Sequence, residues 1–284
     1  MNKGIMPSGG LEGFNVLVTG GGSGIGLGCA RRFVADGANV TICGRTEERL
    51  VEAAASLRTG APTGIAIDHV VADVTNEDDV VAAIAAASKS SGTLDAVIAC
   101  AGGSETIGPL ASMDAEAWRR TIDLNITGTM LTIKHAARSM AREGSGSIVT
   151  ISSIAASNVH SWFGAYGVGK AGIDHLTMLA ADELGASGVR VNAIRPGIVD
   201  TELIAFVTAG GEVLDDYLAC MPISRVGTVE DIAAMARFLI GNESTWITGQ
   251  CIGVDGGHSL RRGPDYRSLL EPVFGAEALR GVVD

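Results

Sequence analysis

Residues 14–26 read Phe14-Asn15-Val16-Leu17-Val18-Thr19-Gly20-Gly21-Gly22-Ser23-Gly24-Ile25-Gly26, and a helical stretch follows to about Ala35. Phe14 to Thr19 is a short β-rich run. A strand that turns through glycines into a helix presents bare backbone N–H groups and the positive end of the helix dipole to a phosphate. The segment therefore predicts a cradle for a dinucleotide. Its fixed positions, Thr19, Gly20, Gly24 and Gly26, follow T-G-x-x-x-G-x-G rather than the plain G-x-G-x-x-G spacing. In a chain with 39 glycines a glycine-rich turn alone says little, because many turns need glycine for conformational reasons. Its place between a strand and a helix gives it meaning.

Further apolar β-rich runs recur at Val40-Thr41-Ile42, Val70-Val71, Val97-Ile98, Ile148 to Ile151, Val189 to Ile194 and Ile252-Gly253-Val254, mostly separated by stretches of helical length. Strands alternating with helices on this rhythm build a parallel sheet covered on both faces, because each crossover must return over the sheet. The expected fold is α/β, with one doubly wound, Rossmann-type parallel sheet of seven strands. Thr46 ahead of Glu47 and Glu48, Asn76 ahead of Glu77, Asp78 and Asp79, and Asp114 ahead of Glu116 each put a capping oxygen and negative charge at a helix start. The last of these helices is expected to run past Asn125 to about Arg142.

Tyr166 and Lys170 are spaced i to i+4, and Ser153 precedes the tyrosine by thirteen residues. Residues four apart share a helix face. A phenol and an ammonium held there, met by a hydroxyl from a strand end, form a proton-transfer device for carbonyl reduction or alcohol oxidation. Lys170 and a positively charged oxidised nicotinamide are expected to pull the phenol below its ordinary value of about 10.

With these residues the chain resembles the short-chain dehydrogenase/reductase family, in particular its 3-oxoacyl reductases, from about Gly10 to Ser259. The resemblance rests on Thr19-Gly20-x-x-x-Gly24-x-Gly26, Asp73-Val74, Asn125, Ser153, Tyr166-x-x-x-Lys170, Pro196-Gly197 and Val254-Asp255-Gly256-Gly257, in the family's order. It implies strand order 3-2-1-4-5-6-7. It also implies an NAD(P)-dependent enzyme with Asn125, Ser153, Tyr166 and Lys170 as its catalytic set: Tyr166 acid/base, Ser153 on the substrate oxygen, Lys170 on the nicotinamide ribose, and Asn125 holding a water linked to Lys170. The implied dinucleotide contacts are Gly20, Ser23, Gly24, Ile25 and Gly26 in the turn, Asp73 and Val74 at the adenine, Ala101 and Gly102 at its ribose, and Pro196, Gly197, Ile198 and Thr201 at the nicotinamide. One element departs: Cys100-Ala101-Gly102 stands where the family usually has Asn-Ala-Gly. The small residues still let the backbone pass close to the ribose, while the hydrogen bonds of an asparagine side chain are lost.

At the end of the second strand, where an acid would bind the ribose 2′-hydroxyl of NAD, the chain reads Gly44-Arg45. A guanidinium suits a 2′-phosphate, and a missing carboxylate removes the repulsion against it, so NADP(H) is preferred. Two observations keep NAD(H) possible: Ser23 is not basic, and Arg45 has Glu47 and Glu48 at hand as surface partners. Asp73-Val74-Thr75-Asn76 likewise reads both as an adenine contact and as an ordinary turn into a capped helix.

The 284 residues are 46% hydrophobic and carry a formal net charge of -11. One large core is affordable, and a single domain over residues 11–259 is expected, between a flexible start at 1–10 and a C-terminal extension at 260–284. The negative charge argues against nucleic acid or an anionic membrane as partner. The five cysteines are scattered, without C-x-x-C pairs, and read as small buried apolar residues rather than as disulfides or metal ligands. No targeting or spanning segment is legible, so a cytoplasmic protein is expected.

Residues 202–221 carry Ile204, Phe206, Val207, Leu214, Tyr217 and Leu218 around an Ala-Gly-Gly break. The resemblance makes this the substrate lid, suited to an acyl chain or a ring, although an amphipathic helix pair would bury the same residues in the fold. His160, Trp162 and Phe163 are expected on the same pocket wall, with packing alone as the other reading. The resemblance also implies a homotetramer, and the extension reads either as a cover for a neighbour's active site or as a surface appendage. A redox sensor that binds the dinucleotide without turnover is the competing class. Intact Ser153, Tyr166 and Lys170 argue against it.

Overall fold

The computed structural model describes residues 10–88 and 92–283. Apart from Gly10, the expected flexible start falls outside them. One sheet contains β1 (Asn15–Thr19), β2 (Asn39–Gly44), β3 (Ile67–Val71), β4 (Ala96–Ala99), β5 (Gly146–Ile151), β6 (Val189–Pro196) and β7 (Cys251–Val254). Their order is 3-2-1-4-5-6-7, and every pairing is parallel. The chain leaves β1 toward β2 on one side and returns to β4 on the other. The connections that follow β1 and β4 therefore run to opposite sides where the order reverses, and a crevice opens beyond the strand ends.

Every residue of β1 is buried, as a strand covered on both faces requires. Val16 and Val18 point into one core with Phe33 of α1 (Gly24–Ala35), Leu50 of α2 (Glu47–Arg58) and Leu239, whereas Leu17 joins the opposite core with Ile84 of α3 (Glu77–Ala87). That alternation is the two-residue period of a strand. Asn76 caps α3 by accepting from the N–H groups of Asp78 and Asp79, and Asp114 caps α4 (Ala115–Ile122) by accepting from Ala117. Thr46 departs from expectation: its side chain makes no cap bond to α2.

The long helix expected through Asn125 is interrupted. Between α4 and α5 (Gly128–Glu143), residues Asp123–Thr127 form a π-turn with Asn125 completely buried. The next helix, α6 (Ala165–Leu184), carries Tyr166 and Lys170. After β6 the lid region folds as two short helices, α7 (Ala205–Thr208) and α8 (Glu212–Cys220). They are broken at Gly210 and Gly211, whose φ angles of 116° and 100° suit glycine. Then α9 (Val229–Ile240) packs on α1, and the extension forms α10 (Arg267–Phe274) and α11 (Ala276–Leu279). Val207, Val213, Tyr217 and Met221 from the lid bury themselves with Tyr266 and Leu270 of the extension in a third apolar cluster. The extension thus lies over its own chain's lid.

The turn from β1 into α1 is tight. A methyl group on Gly26 would lie 2.3 Å from the Gly20 carbonyl oxygen, and one on Gly21 would lie 2.7 Å from Ile42. Both contacts are backbone or stiff side chain, so neither yields cheaply. We expect Gly26→Ala to lower the urea-unfolding free energy by about 1–3 kcal/mol, the usual penalty for overpacking. Unchanged stability would mean that the turn is looser than its contacts indicate.

Candidate active site

Two cavities meet at the crevice. The first runs along the glycine turn and is lined by Gly20, Ser23, Gly24, Ile25 and Gly26, by Cys100, Ala101 and Gly102 after β4, and by Pro196, Gly197 and Thr201 after β6. The second is a cavity of about 350 Å³ under the lid, lined by His160, Phe163, Ile198, Val207, Tyr217 and Tyr266, among others. Ser153, Tyr166, Gly197 and Ile204 line both. Molecules in the two cavities would therefore meet beside the serine and the phenol.

The first cavity has the form of a dinucleotide site. Helix α1 begins at Ser23 with no side-chain cap bond and no acidic residue in its first turn, so its leading N–H groups and positive dipole end are left to an anion. Gly20 stands at φ 65° with an added Cβ only 3.0 Å from the Ala101 backbone, which keeps the floor bare. Where an asparagine would have tied the strand ends, Thr19 does so: its Oγ1 accepts from the N–H groups of Cys100 and Ala101, each at 3.1 Å.

Four expected contacts lie outside this lining. Val74 is core, packed against Gly128. Asp73 folds its carboxylate onto Thr75, accepting from its N–H at 2.9 Å and its hydroxyl at 2.8 Å. The turn reading therefore holds for it. Arg45 is exposed, and among the described residues no ion pair to Glu47 or Glu48 involves it; its charge instead helps hold the Asp73 carboxyl below the ordinary range. Ile198 faces the lid cavity rather than the glycine turn.

Asn125 is brought to the site by the π-turn. Its amide donates to the carbonyls of Gly103 at 2.7 Å and Thr121 at 2.8 Å, fixing the strand that leaves β4. A Cβ on Gly102 would come within 2.9 Å of the Asn125 amide oxygen and 3.1 Å of the Lys170 Nζ, so glycine is what allows the three to converge. Lys170 is 4% exposed, donates to the Ile151 carbonyl at 2.9 Å and lies 5.5 Å from the centre of the Tyr166 ring. Burial lowers its pKa to about 8, with Cys100 and Asp174 acting the other way.

The phenol differs from expectation. With no dinucleotide beside it, burial raises the Tyr166 pKa, and the opposing pull comes from the Ser153 hydroxyl, not from the lysine. A lysine with its pKa lowered to about 8 has lost its charge before a phenol raised above its ordinary value titrates, and so contributes little pull. Cys100 is also unlike the buried apolar residue expected: it is only partly buried, as is Cys251, and Cys100 lines the cleft beside Lys170 with its thiol pushed up to about 11.

Sequence reasoning placed His160 and Phe163 on the pocket wall, and they line it. Trp162 packs instead against the lid cluster and is not among the cavity's lining residues. Ser104, Thr106 and Ile107, from the loop after β4, were missed, as was Tyr266. Nothing in their local pattern distinguishes them from loop and tail residues.

The strand order, the glycine cradle and the shared serine–tyrosine wall define a dinucleotide-dependent oxidoreductase. The chain belongs to the short-chain dehydrogenase/reductase family: a family model described as enoyl-(acyl carrier protein) reductase matches residues 20–259. It is 39% identical over 243 residues, 86% of this chain and 95% of the relative, to a cis-4-hydroxycyclohexanecarboxylate dehydrogenase of Sinomonas cyclohexanicum. It is 36% identical to a 3-oxoacyl-[acyl-carrier-protein] reductase of Chlamydia muridarum, over 85% of this chain and 95% of that one. A solved short-chain type dehydrogenase/reductase from Mycobacterium ulcerans superposes with a TM-score of 0.95 at 55% identity, covering 96% of this chain and all (100%) of that one.

Burial of Lys170 makes a direct test available. In the free protein we expect its ε-carbon resonance, assigned by its absence in Lys170→Met, to titrate near pH 8 rather than at the ordinary 10.5. A midpoint at or above 10 would contradict the buried environment.

Proposed function

We propose that the chain is an NADP(H)-preferring dehydrogenase/reductase acting on the carbonyl or secondary alcohol of a small, mainly apolar ring substrate. The observation that carries this reading is the shared wall: Ser153 and Tyr166 stand between a phosphate-ready cleft and an apolar cavity. The dinucleotide, when bound, supplies or accepts the hydride. Every other part of the reaction falls to the chain.

In the reducing direction Tyr166 gives its phenolic proton to the substrate oxygen as negative charge develops there, and Ser153 donates a hydrogen bond to the same oxygen. In the oxidising direction the phenol takes the proton back. Because burial raises the Tyr166 pKa in the free protein, the protonated form needed for reduction dominates at neutral pH. Lys170 would hold the nicotinamide ribose, and the N–H groups at Gly24, Ile25 and Gly26 the pyrophosphate. Arg45 would hold a 2′-phosphate, Gly44 standing where an acid would repel it. Asn125 supports the site by bonding the Gly103 carbonyl.

A cavity of about 350 Å³ lies at the small end of the roughly 300–1,000 Å³ of ligand pockets, which favours one ring over a carrier-bound acyl chain. The relative from Sinomonas cyclohexanicum bears the name of a ring alcohol's dehydrogenase. Exposed Met130, Val168, Met178 and Leu179 on α5 and α6 suit burial in a homotetramer. The five cysteines are all free, which suits the reducing cytoplasm. No described helix is long and apolar enough to cross a membrane.

Two substitutions test the reading, both followed by nicotinamide absorbance with a panel of cyclic ketones and alcohols. Tyr166→Phe should lower kcat by about 10²–10⁴-fold, the worth of a positioned acid/base. Arg45→Ala should raise the KM for NADPH by about tenfold and leave NADH nearly unchanged, as expected for loss of a charge-assisted bond. Equal effects on both cofactors would remove the NADP(H) preference.

A further inference from the structure

The C-terminal extension lies beyond the 20–259 span that the family model matches, yet it completes the substrate cavity. Arg262 pairs with Asp216 of α8 at 2.8 Å, and the Asp265 N–H donates to the same carboxylate at 2.6 Å. Asn158 Nδ2 donates to the Arg261 carbonyl at 2.9 Å, tying the strap to the segment after Ser153. These anchors deliver Tyr266, which is 2% exposed, to the cavity wall. Its ring meets Phe163 at 4.8 Å, and Phe163 in turn meets Tyr166 at 6.0 Å, so one aromatic ring separates it from the reacting phenol.

The Tyr266 and Tyr217 hydroxyls are 2.8 Å apart. Each carries one hydrogen. The bond between them uses one, and among the described residues neither oxygen has another partner. One O–H donor on the cavity wall is thus left over, and a hydroxyl hydrogen rotates to meet whichever acceptor arrives. Among the described residues lining the cavity there is no lysine or arginine to go with it. Its one carboxylate residue, Glu105, is exposed and paired with Arg120 at 2.7 Å. His160 bonds the Asn158 carbonyl through Nδ1 at 2.8 Å, so that nitrogen carries the hydrogen, and burial favours the neutral ring.

Resting on the ring-ketone reading above, we propose that the Tyr217–Tyr266 hydroxyl pair is the specificity element of this enzyme. It selects neutral cyclic ketones, or the corresponding alcohols, that carry a second oxygen acceptor on the ring away from the reacting carbon. An anionic substituent at that place would be buried without a counter-charge, which is unfavourable. A neutral carbonyl, ether or hydroxyl oxygen takes the spare hydrogen.

Calorimetry on the chain saturated with oxidised dinucleotide, which cannot reduce a ketone, reads this apart from turnover. The probes are cyclohexanone, cyclohexane-1,4-dione and 4-oxocyclohexane-1-carboxylate. We expect the dione to bind the native chain about tenfold more tightly than cyclohexanone, the effect of one buried hydrogen bond. The keto acid should bind more weakly than the dione. Because either hydroxyl alone keeps a hydrogen, the decisive variant is Tyr217→Phe with Tyr266→Phe, which keeps both rings. There the ratio should fall to roughly the twofold statistical advantage of two equivalent carbonyls, whatever the change in cyclohexanone affinity itself. A ratio of about two or less in the native chain, a ratio that survives in the double variant, or preference for the keto acid each overturns the proposal, and the first and third need no variant. Reduction of cyclohexanone by the native chain with NADPH, measured separately, judges the ring-ketone reading itself.

Discussion

The bond between Thr19 and the backbone after β4 is the small interaction on which the site depends. Two strands that are neighbours in the sheet part company at their ends, because the chain winds away from β1 in both directions. Thr19 Oγ1 holds the N–H groups of Cys100 and Ala101, so the crevice opens beyond a pinned edge rather than a loose one. Everything downstream is referenced to that edge. Gly20 passes under Ala101, Gly103 is clamped by Asn125, and Gly102 leaves room for the Lys170 ammonium. Each step requires a small residue next to a fixed hydrogen bond.

The same crowding explains the electrostatics. A lysine at the end of a parallel sheet, covered by helices on both faces, has one carbonyl to bond and little water. Its charge is expensive there until an anion or a set of hydroxyls arrives. The same burial raises the phenol's pKa.

The sheet was legible because parallel strands buried on both faces leave continuous apolar runs, such as Ile148 to Ile151, that neither exposed strands nor surface helices produce. The glycine turn and the Tyr166–Lys170 pair were legible for a related reason: their spacing is dictated by backbone geometry. What did not show was set by contacts across large sequence distance. The π-turn at Asn125 adds no residue type that a regular helix lacks, so nothing marked it. Thr46 has the right identity for a cap and makes no such bond, since the cap depends on a side-chain torsion. Tyr266 follows the polar run Arg261 to Asp265, and contacts remote in sequence, such as the Arg262–Asp216 pair 46 residues apart, bring it inward.

The break at Gly210 and Gly211 splits the region above the cavity into two short pieces. The first, with Ile204 and Phe206, touches both the phosphate cleft and the substrate cavity, whereas the second is fastened to the tail through Asp216 and Tyr217. The half fastened to the tail touches the substrate cavity and not the nucleotide cleft. Changes in the tail's sequence would reshape that cavity and leave the nucleotide cleft as it was, which would let close relatives diversify in what they accept without relearning how to hold a dinucleotide.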